Sequence, residues 1–364
     1  MKKTKLFILV LLTLSMAASV FSCGKLKVAM EYGKNSVSAN MYSYWVSEIK
    51  SNYVTSGQDT ESYWNTEISD GFTYADRMKE VVDKNVKINL VASALFDEKG
   101  LELSDDTKTQ IEKSIDGLID AYGSKSNLNK MLSDYGVNYS ILRDIYTVEA
   151  KVYEYYSYLY REGGERYISD ERIDEYYKDN YRHVGAIIIY TGFEFQRDED
   201  GNITYDDGGN NYQTRELTEE EKAAKSEKVA KLKERLAAGE DFDALKAEYD
   251  EDPNSGAYPD GYYMSASDYA VFGAKIVSNV LELGEGETVD FEEGGIAYFF
   301  KDLPLEDKAY EKEENSTMFS RLRDGCQTLD FNEYIAPFLD KVIFHEDAIS
   351  EYSVASAPLI KSDM

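Results

Sequence analysis

The sequence predicts an α+β protein in which a helical domain, built from the N- and C-terminal segments, carries an inserted α/β unit. Three observations predict it. From Met41 to Tyr177 apolar residues recur at helical spacing, with capping residues between the runs. At "GAIIIYT", Gly185 to Thr191, this periodicity gives way to a continuous, isoleucine-rich run too short for a helix. After Pro304 the helical spacing returns.

Each element follows from its local signals. A strand at Leu26–Tyr32 runs into a Gly33-Lys34-Asn35 turn, and Ser38 is placed to cap a helix bearing Met41, Tyr44, Trp45 and Ile49. A second helix runs from Tyr74 to Glu98 and stops at Gly100. Ser104 opens a third, which ends at Gly123. "LNKMLSDYG" is a short fourth, and "NYSILRDIYTVEAKVYEYYSYLYRE" a long fifth ended by Gly163 and Gly164. Ser169 caps a sixth, which carries Ile173, Tyr176 and Tyr177.

The buried strand comes next, then a polar loop, a helix from Glu219 to Ala238 and a second helix in "GEDFDALKAEYDED". "PNSGAYPDGYYM" is rich in turn residues and leads to a short helix near Asp268–Val280. "LELGEGETVDFEEGGIAYFFKDL" closes the unit with strands. A helix is expected at Glu311–Tyr334, and a strand at Val342–His345 that lies near Leu26–Tyr32. The segments divide as 1–22, 23–181, 182–304, 305–345 and a tail, 346–364.

The first of these is not fold. Lys2, Lys3 and Lys5 precede an apolar run and then small residues, the pattern of a secretory signal peptide. "VFSC" resembles the bacterial lipobox, which implies lipidation of Cys23 and a lipid-anchored protein on the extracytoplasmic face of the cell membrane. The competing reading is ordinary signal cleavage beside an incidental cysteine. With Cys23 lipidated, Cys326 has no disulfide partner. The net charge of −29 repels nucleic acid and anionic headgroups, so neither is expected as a partner. Two cysteines and two histidines, His183 and His345, are too few for Cys/His zinc sites or a histidine-dependent triad. No metal and no cofactor is expected.

"LSDYGVNYSILRDIYTVEAKVYEYY" followed by "ISDERIDEYYKDNY" resembles the region leading into the isomerase domain of extracytoplasmic foldases of the PrsA/SurA type. "AKLKERLAAGEDFDALKAEYDED" is similar to the parvulin pattern of helix, Gly-x-x-Phe and apolar-acidic helix, and "LELGEGETV" resembles a turn of that family. The resemblance implies a parvulin-type peptidyl-prolyl isomerase domain inserted into a helical chaperone domain. It implies unfolded or partly folded exported polypeptides as partners, and a second copy of the chain stays open as another.

Prolyl isomerisation breaks no bond. A site need only favour the twisted amide over the planar one, across a barrier of about 18–20 kcal/mol. The family's first strand reads His-Ile-Leu-hydrophobe-x-Thr; aligned on Thr191, its histidine falls on Ala186, three residues from His183. Side chains alternate along a strand, so His183 should point away from the site unless a bulge shifts the register. The family's second histidine aligns with Tyr298, its central acid or thiol with Asp252, and its proline pocket with Phe272 and Ile276. Catalytic candidates are therefore Asp252, Tyr298 and, less favoured, His183. The residues leave both an active and an inactive isomerase open.

Tyr153, Tyr156 and Tyr160 share a helical face and are candidates for gripping unfolded peptide, with packing against other helices as the competing expectation. Asp198, Asp200, Gly201 and Ile203 echo part of a calcium loop, but Gln196 and Asp207 stand where its first and last ligands belong, and a polar hairpin turn is the better reading. A solute-binding protein would need alternating βαβ units, against the helical first part. A non-catalytic surface scaffold or binding lipoprotein on the same fold is the alternative to a foldase.

Overall fold

The computed structural model describes residues 27–206, 212–312 and 315–361. The signal peptide, Cys23 and Asp207 lie outside them. The described chain forms two compact units. The first holds the residues up to Tyr167 and again those from Leu329, and the second is Ile168–Thr328.

In the first unit β1 (Val28–Tyr32) turns at Gly33 into β2 (Asn35–Ser38), a strand the sequence reading left out. The Ser38 side chain accepts from the Met41 amide and starts α1 (Ala39–Ser51). A one-turn helix, α2 (Glu61–Trp64), and a small hairpin, β3 (Glu67–Ser69) with β4 (Phe72–Thr73), follow. Thr73 and Asp76 then cap each other's amides at the head of α3 (Tyr74–Glu98). This helix buries Val82, Val86 and Leu90 at four-residue spacing. Gly100, at φ +68°, reverses the chain in the left-handed region that favours glycine. Ser104 caps α4 (Asp105–Ala121), Ser124 caps α5 (Lys125–Leu132) and Asn138 caps α6 (Tyr139–Tyr160). The core between α1, α3 and α6 contains Trp45, Val86, Leu90, Leu142 and Ile145.

The second unit begins with α7 (Asp170–Asn180), capped by Ser169, and β5 (Arg182–Tyr190). The stretch expected to be a polar loop holds a hairpin, β6 (Phe193–Phe195) with β7 (Thr214–Glu216). Its strands are three residues each, too short to show a period, and β7 is wholly polar. Then come α8 (Glu219–Ala237), α9 (Phe242–Tyr249), β8 (Tyr262–Met264), α10 (Tyr269–Phe272), α11 (Ala274–Leu281), β9 (Thr288–Glu293) and β10 (Ile296–Leu303). The strands form an antiparallel sheet in the order β8-β5-β10-β9. Alternation divides it cleanly. Ile187, Ile189, Ala297 and Phe299 pack under α8 and α9. Val184, Ala186, Met264 and Phe300 face the other way, against α11.

The next helix, α12 (Ser316–Leu339), starts later and ends later than the spacing suggested. In the first unit β11 (Ile343–Phe344) then pairs antiparallel with β1, Phe344 opposite Met30, as expected for strands from the two ends of the chain. A last turn, α13 (Glu346–Ile349), follows. The residues beyond β11, expected to be a tail, instead pack on the core: Ile349 and Val354 are buried. The Lys50 ammonium donates to the Ala357 carbonyl at 2.6 Å, and the Ile360 amide to the Ser51 hydroxyl at 2.7 Å.

Candidate functional site

The second unit's sheet builds a cavity on its α11 side. Ile188 and Tyr190 of β5, Tyr262 and Met264 of β8, and Tyr298 and Phe300 of β10 all line it, as two-residue alternation requires. Phe272, Ile276, Met318 and Arg321 close the far side, and the cavity measures about 760 Å³.

Asp252 is held over this cavity by the two acids before it. β8 pairs only with the first residues of β5, which leaves the edge near Ile188 and Tyr190 free for another partner. Asp250 accepts from the Ile188 amide at 2.9 Å, the Glu251 amide donates to the Ile188 carbonyl at 2.8 Å, and Glu251 accepts from the Tyr190 amide at 3.0 Å. Lys225 and Lys228 pin Glu251 from α8 at 2.6–2.7 Å. Burial works against the Glu251 charge, yet these ammonium groups and the Tyr190 amide hold its carboxyl below the usual range. Asp252 then turns into the cavity. Its Oδ2 accepts from the Tyr262 hydroxyl at 2.6 Å, and its Oδ1 from the Asn254 amide at 2.9 Å. Burial, followed by that bond to Asp252, pushes the Tyr262 phenol up, so it stays a donor. Burial likewise raises Tyr190 and Tyr298.

Gly261 makes the approach of β8 possible. Its φ is +103°, and a Cβ there would meet the Val184 carbonyl oxygen at 2.4 Å. Asp268, 2% exposed, accepts from the Ser265 amide and hydroxyl and pairs with Arg321, which ties the first turns of α12 to the segment before α10.

Four sequence candidates therefore meet at one cavity: Asp252, Tyr298, Phe272 and Ile276. His183 does not join them. Its Nδ1 lies 3.0 Å from the Pro304 carbonyl oxygen and its Nε2 2.6 Å from that of Asp260, and its ring stacks on Tyr263 at 4.4 Å. It is a buried strand-end residue, consistent with alternation. Ala186, where the resemblance would put a histidine, is on the cavity side of the sheet but buried against Phe300. Sequence reasoning missed Tyr190, Tyr258, Tyr262 and Arg321. The alternation in "GYYM" could have flagged Tyr262; the sequence carried no signal for Arg321, whose contact with Asp268 spans 53 residues.

In the first unit the tyrosine face divides. Tyr153 is 73% exposed, whereas Tyr160 is buried and donates to Asp330 at 2.6 Å. Tyr156 lies between them, its ring 5.3 Å from Phe331. The three do not form one open groove, because the part of α12 from Leu329 covers that side of α6. In the second unit the expected polar turn is present: Asp198 accepts from the Asp200 and Asn202 amides at 3.0 and 2.8 Å, and Gly201 has φ +85°. Elsewhere in the first unit Phe96, Leu101, Leu103 and Ile111 line an apolar depression of about 540 Å³ rimmed by Lys108 and Lys151.

A family model described as bacterial trigger factor protein (TF) C-terminus matches residues 39–155, the run from α1 to α6. No curated protein gives a significant match. Among solved structures, the chain is similar to foldase protein PrsA of Streptococcus pneumoniae at 14% identity, covering 82% of this chain and 94% of that one, with a TM-score of 0.24. PrsA of Bacillus subtilis is similar at 15% identity, with 84% and 96% covered and a TM-score of 0.23. PrsA of Bacillus cereus, a peptidylprolyl isomerase, is similar at 17% identity, with 83% and 95% covered and a TM-score of 0.27. Scores this low do not establish a shared arrangement.

Proposed function

We propose that the protein is a lipid-anchored, extracytoplasmic folding factor: a helical holdase for exported polypeptides carrying a parvulin-like unit whose isomerase activity is weak or lost. One observation carries the reading. Asp252, Tyr298, Phe272 and Ile276, assigned to one site by resemblance, line a single cavity, while Ala186 and Tyr298 stand where the family has histidines. The cavity offers an apolar enclosure and hydroxyl groups, enough to bind a prolyl segment. Without the imidazole pair it has less with which to favour the twisted amide. The trigger-factor match over residues 39–155 supports a holdase role for the first unit. The anchor is Cys23, in the lipobox-like "VFSC".

The test uses the full chain in detergent. Suppression of client aggregation together with a proline-peptide isomerisation rate close to the uncatalysed one is the expected result. Unchanged aggregation would leave a scaffold and remove the folding role. Labelling with a fatty-acid probe should be lost in Cys23→Ala, with release of the protein from the membrane.

A further inference from the structure

We propose that the Asp252 end of this cavity selects a cationic side chain, a lysine or arginine of the bound polypeptide. The inference rests on the peptide-binding reading above and names the chemistry it selects. Tyr190, Tyr258, Tyr262 and Tyr298 line the same cavity as Asp252. Tyr262 is the pivot: its ring lies 4.9 Å from Tyr258 on one side and 5.9 Å from Phe272 on the other, the latter nearly perpendicular at 77°. Its hydroxyl also fixes Asp252. Aromatic faces around a carboxylate attract a cation through both the ring quadrupoles and the full charge.

The charge balance points the same way. Arg321, the other charged side chain lining the cavity, is neutralised by buried Asp268. Among the described residues no ion pair joins Asp252, so the cavity keeps one negative charge in a protein of net charge −29. An anionic group is repelled twice over. The rim favours a polypeptide over a free amine: Tyr258 and Val271, 50% and 73% exposed, present apolar surface at the cavity. The other end, with Phe272, Ile276 and Met318, suits the proline ring.

Acetyl-Ala-Xaa-Pro-Phe-amide peptides with Xaa lysine, norleucine or glutamate, titrated into the full chain by calorimetry, test this. Lysine should bind about tenfold tighter than norleucine at low salt, with glutamate weakest and the gap narrowing as salt rises. In Asp252→Asn the lysine-to-norleucine ratio should fall to about one. Equal binding of lysine and norleucine by the unmodified protein overturns the inference and leaves peptide binding standing. A ratio that survives Asp252→Asn, or n-butylammonium competing as well as the lysine peptide, also overturns it. Failure of all three peptides to bind removes the peptide reading with it.

Discussion

The Tyr262 hydroxyl donates to Asp252 across 2.6 Å and so joins strand β8 to the acidic segment that closes the free edge of β5. Asp252 is half-buried, so water replaces part of the bond when the hydroxyl is removed. Tyr262→Phe should therefore lower the stability of the second unit by about 1 kcal/mol. Hydrogen exchange of the β5 amides reads this directly. Unchanged protection of Ile188 and Tyr190 would mean that the contact does not brace the edge.

His183 makes the opposite kind of prediction. Its nitrogens face two carbonyl oxygens, of Pro304 and Asp260, and carbonyls only accept, so the single N–H of a neutral imidazole donates to one of them and ties β5 to a neighbouring segment. Replacing it by glutamine should cost about 1–3 kcal/mol in the second unit. Any residual proline-peptide isomerisation, measured well below the unfolding range, should not change. Loss of that activity in a variant of full stability would restore His183 to the site.

Much of this arrangement was legible because capping chemistry is local. Ser38, Ser104 and Ser169 each announced a helix start, and the limits of α3 could be read from Tyr74 and Gly100. The alternation of β5 also told which way His183 would point. What stayed hidden depends on distant partners. Strand β2 exists because it pairs with β1, the three-residue strands of the β6–β7 hairpin are defined by each other, and the last residues fold down because Lys50 and Ser51 hold them. The cavity's second wall, with Arg321, comes from a helix that begins more than a hundred residues after β5.

The tyrosines of α6 separate core from surface in one helix. Tyr160 is buried and bonded to Asp330, which Arg166 also grips at 2.6 and 2.8 Å. Tyr160→Ser leaves a cavity and strips a partner from that carboxylate, and should cost about 3–5 kcal/mol. Tyr153→Ser should stay within about 0.5 kcal/mol. The two tryptophans of the chain, Trp45 and Trp64, both lie in the first unit, so their fluorescence during urea unfolding reports it alone. If Tyr153→Ser weakens aggregation suppression at unchanged stability, that exposed ring grips clients; if not, the face contributes only packing.

The same fluorescence tests a half-buried carboxylate pair between α1 and α6. Burial first, and then the neighbouring charge of Glu149, push the Glu48 carboxyl up from 4.5 to about 7. Burial also raises Glu149, against the opposing bond from the Trp45 indole N–H at 2.8 Å. A raised carboxyl binds its proton more tightly in the folded state than in the unfolded chain. Between the two values the native protein therefore holds more protons, and stability falls as pH rises from 4.5 towards 7. Ionising Glu48 should cost the first unit about 1–3 kcal/mol, since the group is only half-buried. Glu48→Gln removes that cost: its urea midpoint should exceed that of the unmodified protein at pH 7.5, and the difference should shrink or vanish at pH 5. Groups other than Glu149, whose charge is coupled to that of Glu48, titrate in both proteins and cancel in the comparison. A glutamine variant less stable at both pH values would show that the Glu48 charge is favourable where it sits, and that the two carboxylates do not oppose each other.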